Sequence, residues 1–472
     1  MPGLFHLGWR ANGDNFDVAL AVNRLLASGA RAWLVRCSRS DVDAGDYIVE
    51  LTTAHARALA DAKLDIAPFD APLPGDAKPL TRPAVRVFAG EASKFPYFAY
   101  YALCLLRLGV DYVACDGETL ANGTLDDANL LILPGGFATW GIDAAENASG
   151  ADARIRRFLA EGGAAIGSCG GAYYLSSGRP AWTGTAAAKP RYTHEYLQTG
   201  VGIVTIALRD GPLALGCVPT MEVPYYHGPV YDALGEGIDV AATFDSLALS
   251  GRLAIDNPLD RAQFEREMAG KPAILIASGK RGRAVLFSPH PEMGDLVRKY
   301  IALDGYVRHY LPIRGIATMR DTLRHYRVCD APCFRLVCNA IHVLLPDVEV
   351  TNRVSGNDHA EPTELARLCE HALGALPDFG RGDEGDLMRD IETGLRARLE
   401  AWRPRVIALN EATGALDRLQ PSLRHLIDSI GARAGDRPDA PAQALIEADL
   451  AVSLLECWTR AAGMDLGLAS AR

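Results

Sequence analysis

Cysteine, long apolar runs and surplus positive charge are all scarce in this sequence. Ten cysteines among 472 residues are too few for a disulfide scaffold, so we expect most of them to be small buried hydrophobes in a reducing compartment. Charged residues interrupt the longest apolar runs well short of a membrane span. The chain has 48 basic and 58 acidic side chains and a formal net charge of -10, which argues against a surface devoted to nucleic acid or anionic membrane.

Several motifs are also missing. The chain opens without a basic stretch ahead of a long apolar one, so we expect no signal peptide and a cytoplasmic protein. No phosphate-cradling motif of the Walker type occurs, which argues against an ATP-driven synthetase in this chain. Cys329, Cys333 and Cys338 could hold a metal only on a helix that Pro332 makes doubtful. Core packing is the better interpretation of these thiols, and we expect neither a metal nor a cofactor.

The composition is that of a globular protein with several domains. Hydrophobic residues make up 49% of the chain and charged residues 22%, and at about 150 residues per domain the length suggests about three units. We predict a small N-terminal α/β segment with a linker at 1–83, an α/β domain at 84–312, and a helical C-terminal region at 313–472.

Strand and helix patterns alternate through the middle of the chain. The sequence predicts strands at 85–88, 112–114, 130–133 and 164–166, and helices at 97–108 and 151–160. This alternation is typical of a mostly parallel sheet covered on both faces. Further strands are predicted at 203–208, 240–244, 273–277 and 284–287.

The two flanking regions differ from the middle and from each other. Ahead of it we predict helices at 17–26 and 53–62, extended segments at 32–35 and 47–51, and a proline-rich linker or covering loop at 68–83. Behind it we predict helices at 364–376, 386–401, 421–430 and 442–462. No motif in the helical region carries recognisable chemistry.

Residues 164–174 hold the most informative motif, in which a buried strand runs into Gly-x-Cys-x-Gly. This is the cysteine form of a nucleophile elbow. Gly167 and Gly171 remove the side chains that would collide at so sharp a strand-to-helix turn. The helix N-terminus beneath Cys169 favours the reactive thiolate, and the N–H of Gly170 points to where an oxyanion would form. The alternative is an inert cysteine in a common glycine-rich turn.

Two further motifs could complete a site. Pro134-Gly135-Gly136-Phe137 follows a predicted strand and either supplies a second oxyanion N–H or is an ordinary loop. Ser288-Pro289-His290-Pro291-Glu292 places an imidazole at a strand end with a carboxylate two residues later. A thiol nucleophile needs a neighbouring base, and that base needs a group that fixes its orientation.

The three motifs, in this chain order, resemble the class I glutamine amidotransferase-like superfamily over about residues 84 to 310. The resemblance implies a flavodoxin-like, mostly parallel sheet with a nucleophile elbow. It also implies that Cys169 is the nucleophile, His290 the general base and acid, and Glu292 the orienting carboxylate.

The same resemblance assigns the residues around the triad. Gly136 and Gly170 would form the oxyanion hole, and Gly135 and Phe137 would contact substrate. Glutaminases of this class usually carry a glutamine that helps to place the substrate, and Tyr173 stands at that position here. By the resemblance Tyr173 is a candidate substrate contact, and whether glutamine is used stays open.

One subgroup is more similar than the glutaminases. The stretch 169–174 together with Tyr225-Tyr226-His227-Gly228-Pro229 looks like the amidotransferase-like domain at the N-terminus of eukaryotic biotin–protein ligases. By that likeness Tyr226 and His227 are candidate substrate contacts. Aromatic packing beside a Gly-Pro turn is the alternative.

We therefore predict a cysteine-dependent amidase or amidotransferase-like hydrolase. It would act on a small-molecule carboxamide or related acyl substrate through a thioester. A partner enzyme or protein could bind the C-terminal helices. One alternative is a non-catalytic ligand-binding or scaffold module whose helical region binds a protein partner, and another is a peptidase of the same superfold.

Overall fold

The computed structural model describes residues 2–93, 97–136, 141–191, 201–248, 259, 261–309, 316–323, 326–345, 362–413 and 441–470. Its strands are β1 Gly3–Leu7, β2 Ala32–Leu34, β3 Tyr47–Leu51, β4 Ala67–Pro68, β5 Lys78–Pro79, β6 Val85–Phe88, β7 Tyr112–Cys115, β8 Leu130–Leu133, β9 Ala164–Ser168, β10 Ala188–Pro190, β11 Val201–Leu208, β12 Thr220–Tyr226, β13 Tyr231–Leu234, β14 Ile238–Leu247, β15 Pro272–Gly279 and β16 Gly282–Phe287.

The helices are α1 Asp17–Ala27, α2 Thr53–Asp61, α3 Tyr97–Arg107, α4 Gly117–Ala121, α5 Ile142–Glu146, α6 Ala151–Ala160, α7 Gly170–Leu175, α8 Arg261–Glu267, α9 Gly294–His309, α10 Ile316–Leu323, α11 Phe334–Leu344, α12 Pro362–Gly374, α13 Asp383–Thr413 and α14 Pro441–Ser470. Short 3₁₀ turns lie at Pro212–Ala214 and Pro291–Met293.

A nine-stranded sheet forms the centre of the molecule, in the order β12-β11-β14-β15-β16-β9-β8-β6-β7. The five strands from β16 to β7 are parallel to one another. Numbered along the chain, these five follow the order 2-1-3-4-5 from β7 to β16, which is the flavodoxin-like arrangement. Only β15 and β11 run against the other strands of this sheet, so the predicted mostly parallel α/β fold is confirmed.

The central strands are apolar throughout because the sheet is covered on both faces. All residues of β8 and β9 are buried. Ile132 and Ile166 belong to one hydrophobic cluster, whereas Leu131, Leu133 and Ala165 belong to another on the opposite face. Successive side chains of a strand point to opposite faces, so an uninterrupted apolar run supplies both clusters.

The N-terminal segment forms a separate five-stranded sheet in the order β4-β1-β3-β2-β5. The predicted helices and extended segments at 17–62 are present within a residue or two, but β1 was not predicted. The proline-rich stretch contributes the two-residue edge strands β4 and β5. Proline fits there because an edge strand can spare a backbone N–H.

The C-terminal region is helical, as predicted. Helix α13 is longer than the predicted 386–401 and contains Pro404, whereas the helix predicted at 421–430 lies outside the described residues. Helix α14 packs against α1, α3, α9, α12 and α13. The largest hydrophobic cluster contains residues from all three predicted domains, and the boundaries at 83/84 and 312/313 stay predictions.

The cysteines behave as small hydrophobes. All ten are free thiols, and eight of them are buried, with Cys37 exposed and Cys217 partly buried. Helix α11 begins at Phe334, after Cys333 as its N-cap, so Pro332 does keep Cys329 and Cys333 off a shared helix. None of the described helices has both the length and the apolar character needed to cross a membrane.

Candidate active site

Three predicted motifs meet at one edge of the central sheet. Pro134 follows β8, Cys169 follows β9 and Ser288 follows β16. These strands are parallel neighbours, so their carboxyl ends lie side by side. Crevices at this edge are the usual location of ligand sites in open α/β sheets.

Cys169 has the strained backbone of a nucleophile elbow. Its φ of 49° and ψ of -106° lie outside the regions that residues with a Cβ normally occupy. The Cys169 N–H donates to the carbonyl of Phe287 at 2.9 Å. A Cβ on Gly167 would lie 2.6 Å from the backbone of Gly171, and one on Gly171 would lie 2.0 Å from the Leu133 carbonyl oxygen. Both glycines are therefore required for the turn, as the sequence predicted.

The loop after β8 packs directly on the histidine. A Cβ on Gly135 would lie 2.4 Å from Cε1 of His290 and 2.7 Å from Cδ1 of Tyr97. The loop is held by the hydroxyl of Ser93, which donates to the Gly135 carbonyl at 2.9 Å. The Gly171 N–H also donates to the carbonyl of Pro134 at 3.2 Å. Gly136, with a φ of 65°, continues this turn.

His290 and Glu292 form a fully buried pair. Nδ1 of His290 lies 2.7 Å from Oε1 of Glu292, and neither side chain is exposed to solvent. Since the carboxylate accepts, Nδ1 carries a proton and the reactive lone pair is on Nε2. Nε2 is buried and makes no hydrogen bond within the described part of the chain.

Burial alone would lower the pKa of His290. The charge of Glu292 and the Cys169 thiol outweigh that effect and raise the pKa of the imidazole to about 10. The pair therefore favours an imidazolium ion. An imidazolium next to a thiol is the environment that stabilises a thiolate.

The second oxygen of Glu292 is also occupied. The Ser168 hydroxyl donates to Oε2 at 2.9 Å, and the same hydroxyl lies 2.6 Å from that of Tyr101. Ser168, Tyr101 and Glu292 are all buried completely. Both oxygens of this carboxylate are thus fixed by hydrogen bonds, as a buried charge requires.

The thiol of Cys169 lies close to strand β12. Its sulfur donates to the backbone carbonyl of Tyr226 at 3.0 Å, and the residue is 8% exposed. The His290 N–H in turn donates to the Pro224 carbonyl at 2.7 Å. Strand β12 therefore supports both residues.

Aromatic rings enclose the imidazole. The Tyr97 ring lies 5.4 Å from that of His290 at an interplanar angle of 31°, and the Tyr226 ring lies 6.1 Å away at 89°. Tyr97 and Tyr226 also contact each other edge to face. Burial and the nearby Cys169 thiol raise the pKa of the Tyr97 hydroxyl.

The other predicted site residues are placed differently. Tyr173 is buried in the hydrophobic cluster that contains Leu131 and Leu133, and its ring packs on that of Trp182 at 5.9 Å. His227 is half-buried at a φ of 48°, and burial lowers its pKa. Gly170 opens α7 next to Cys169. The prediction for Phe137 lies outside the described residues.

Sequence reasoning missed three residues around the triad: Tyr97 packs on His290, Ser168 donates to Glu292, and Tyr101 hydrogen-bonds to Ser168. Tyr97 and Tyr101 are one helical turn apart on α3, but a helix rich in apolar residues gives no sign that hydroxyls point to a site. Ser168 precedes the nucleophile within the elbow motif. Its position could have drawn attention to it.

Comparison with known proteins gives one family match. Residues 98–195 match the CobB/CobQ-like glutamine amidotransferase domain. The matched segment includes the loop after β8 and the Cys169 turn, but not His290 or Glu292. No protein of curated function matches the chain.

Three solved structures are similar at low identity. A glutamine amidotransferase from Thermotoga maritima is 14% identical, covering 54% of this chain and 98% of its own, with a TM-score of 0.33. A second glutamine amidotransferase is 20% identical, covering 48% and 97%, with a TM-score of 0.31. A cytoplasmic protein from Salmonella typhimurium is 11% identical, covering 52% and 98%, with a TM-score of 0.29.

The matched residues include two of the three site motifs, the loop after β8 and the turn that carries Cys169. The more specific likeness to the biotin–protein ligase subgroup stays a prediction. Residues 98–195 are thus similar to the CobB/CobQ-like glutamine amidotransferase domain.

Proposed function

We propose that this protein is a cysteine-dependent amidase or amidotransferase-like hydrolase that cleaves a carboxamide or related acyl substrate. The observation that carries the proposal is the buried His290–Glu292 pair beside a strained cysteine turn. The family match over 98–195 supports the same class of chemistry. The proposed site lies at the carboxyl edge of the sheet.

In the first step the Cys169 sulfur attacks the acyl carbon of the substrate. The thiol proton passes to Nε2 of His290, the buried ring nitrogen without a hydrogen bond among the described residues. Negative charge on the substrate oxygen would be stabilised by the backbone N–H groups of Gly136 and Gly170. His290 then protonates the leaving nitrogen, the C–N bond breaks, and ammonia or an amine departs from a thioester.

In the second step water hydrolyses the thioester. His290 removes a proton from the water, the oxygen attacks the acyl carbon, and the C–S bond breaks as the sulfur regains a proton. The products are a carboxylic acid and the free enzyme. Glu292 holds the imidazole through Nδ1 in both steps and stabilises its positive charge without taking the proton.

The protonation state suits this sequence of events. The raised pKa of His290 favours the imidazolium form of this ring beside Cys169. In the arrangement described, the Cys169 sulfur donates to the Tyr226 carbonyl, which corresponds to the neutral thiol. Release of that hydrogen bond would accompany formation of the thiolate.

Around this chemistry the proposal includes substrate contacts from Gly135, Phe137, Tyr226 and His227. The Tyr97 ring, which stacks on His290, joins them. For Tyr173, packing on Trp182 favours a structural role. We also propose that the protein is cytoplasmic and that it is similar to the biotin–protein ligase subgroup. A protein partner would bind its C-terminal helices.

The test combines cysteine labelling with turnover. Iodoacetamide should alkylate Cys169 faster than the other cysteines at pH 6, because an imidazolium at His290 stabilises the reactive thiolate. Ammonia release from a panel of carboxamides, glutamine included, should be lost in Cys169→Ala and kept in the matched variant Cys37→Ala, whose thiol is exposed. Labelling of Cys169 no faster than Cys37, with no Cys169-dependent turnover, would favour the non-catalytic scaffold instead.

A further inference from the structure

We infer that Ser168 and Tyr101 are positioning residues that fix the orientation of Glu292 and, through it, of the His290 imidazole. This inference rests on the proposed function and adds two members to its machinery. Neither residue contacts the reacting atoms in the arrangement described. Their role would be to hold the carboxylate that holds the base.

The direction of each hydrogen bond follows from counting protons. Ser168 has one hydroxyl proton, and it is donated to Oε2 of Glu292 at 2.9 Å. The Ser168 oxygen must therefore accept in its contact with Tyr101, whose hydroxyl lies 2.6 Å away. The chain of donors runs from Tyr101 through Ser168 to Glu292.

These hydrogen bonds fix the orientation of the carboxylate against the imidazole. Because Ser168 occupies Oε2, Oε1 is the oxygen left to accept from Nδ1 of His290 at 2.7 Å. A proton held on Nδ1 leaves Nε2 as the nitrogen that exchanges a proton with Cys169. A free carboxylate could rotate and lose this preference, whereas a carboxylate held at both oxygens cannot.

Burial makes the two hydroxyls effective. Tyr101, Ser168 and Glu292 are excluded from solvent completely, so water cannot replace a missing donor without entering the core. A hydrogen bond to a buried charge is stronger than one between neutral groups. The backbone also fixes the geometry, since Ser168 ends β9 directly before the Cys169 turn.

The experiment measures the alkylation rate of Cys169 at pH 6, which needs no substrate. Ser168→Ala and Tyr101→Phe should each slow labelling by about tenfold, since a Glu292 carboxylate whose orientation is no longer fixed holds the His290 imidazolium less firmly beside the thiolate. Tyr101→Phe should add no further loss in the Ser168→Ala background, because the two hydroxyls act in one chain.

Two variants serve as matched controls. Ser453→Ala removes a buried hydroxyl on α14 that donates to Asp449, and Tyr174→Phe removes a buried tyrosine hydroxyl that donates to Asp152. Both should label at the wild-type rate. Thermal unfolding of every variant separates a fold defect from a local one, and Tyr101→Phe keeps the volume of the ring.

The outcomes are distinct. Wild-type labelling rates in Ser168→Ala and Tyr101→Phe, or losses that simply add in the double variant, would overturn the positioning role. Non-additive losses without any Cys169-dependent amide hydrolysis would uphold the positioning role and reject the proposed function. In an amide assay the losses should appear in kcat rather than KM.

Discussion

Gly135→Ala is the sharpest steric test of the site. The added Cβ would lie 2.4 Å from Cε1 of His290 and 2.7 Å from Cδ1 of Tyr97. Ordinary van der Waals contact begins near 3.4 Å, so the imidazole and the added methyl must separate by about 1 Å. A 1 Å displacement of a catalytic group can cost about a hundredfold in rate.

His290 has little room to yield. Its Nδ1 is 2.7 Å from Glu292, and its backbone N–H donates to Pro224. The loop that carries Gly135 is held by Ser93. The clash must therefore break one of these hydrogen bonds or shift the loop away from Cys169, and either change uncouples the base from the nucleophile.

The assay follows Cys169 alkylation and Cys169-dependent ammonia release side by side. We expect both rates to fall by about a hundredfold in Gly135→Ala, with unfolding still cooperative. Gly75→Ala is the control, since a Cβ there meets nothing within 4 Å. Wild-type rates in Gly135→Ala would refute the close packing of this loop on His290.

Further predictions concern stability. Asp449→Asn leaves the Lys299 and Arg398 cations without their buried carboxylate, and we expect a loss of about 3 kcal/mol in urea unfolding. By contrast Asp126→Asn, which breaks an exposed pair with Arg154, should change unfolding by less than about 1 kcal/mol. The raised pKa of His290 stabilises the fold fully below its ordinary value of 6.5, and that contribution should disappear as pH rises towards about 10. The pKa of Asp449 is lowered from 3.8 to about 2 by Lys299 and Arg398, against the opposing effect of burial, so its contribution should be lost as pH falls through that range, as unfolding curves at pH 2 and 5 would show.

The convergence of the three motifs could be predicted because it follows from local signals and one rule of topology. The local signals were the apolar runs that predicted β8, β9 and β16. The rule of topology is that the carboxyl ends of neighbouring parallel strands lie at the same edge of a sheet. Glycines at 135, 167 and 171 marked the points where the backbone needs space. The roles of the candidate triad were then implied by the resemblance of these motifs, in their chain order, to the class I glutamine amidotransferase-like superfamily.

Strand β12 shows where this reasoning fails. The sequence marked Tyr225-Tyr226-His227-Gly228-Pro229 as a turn-forming segment and predicted no strand before it, yet residues 220–226 form a strand paired with β11. Pro224 is tolerated because β12 is the outermost strand of the sheet. No local pattern could reveal that the end of this strand would place the Tyr226 carbonyl against the Cys169 sulfur.

The partners of Glu292 were hidden for a different reason. Tyr101 lies on α3, and its hydroxyl reaches Ser168 across 67 positions of sequence. Whether a tyrosine on an apolar helix packs as a ring or donates from its hydroxyl depends on tertiary contacts. Such contacts leave no periodicity in a single sequence.

The contact between α1 and α14 has a consequence for how the chain folds. Arg24 binds Asp465 through two hydrogen bonds of 2.7 and 2.6 Å across 441 positions of sequence, and the same guanidinium binds Asp111. Contacts of such long range slow folding because loop closure comes before any gain in contact energy. During synthesis, the apolar surface of α1 that packs on α14 stays uncovered until α14 has been made. The nascent chain therefore exposes a surface that chaperones can bind and that favours aggregation when expression is fast.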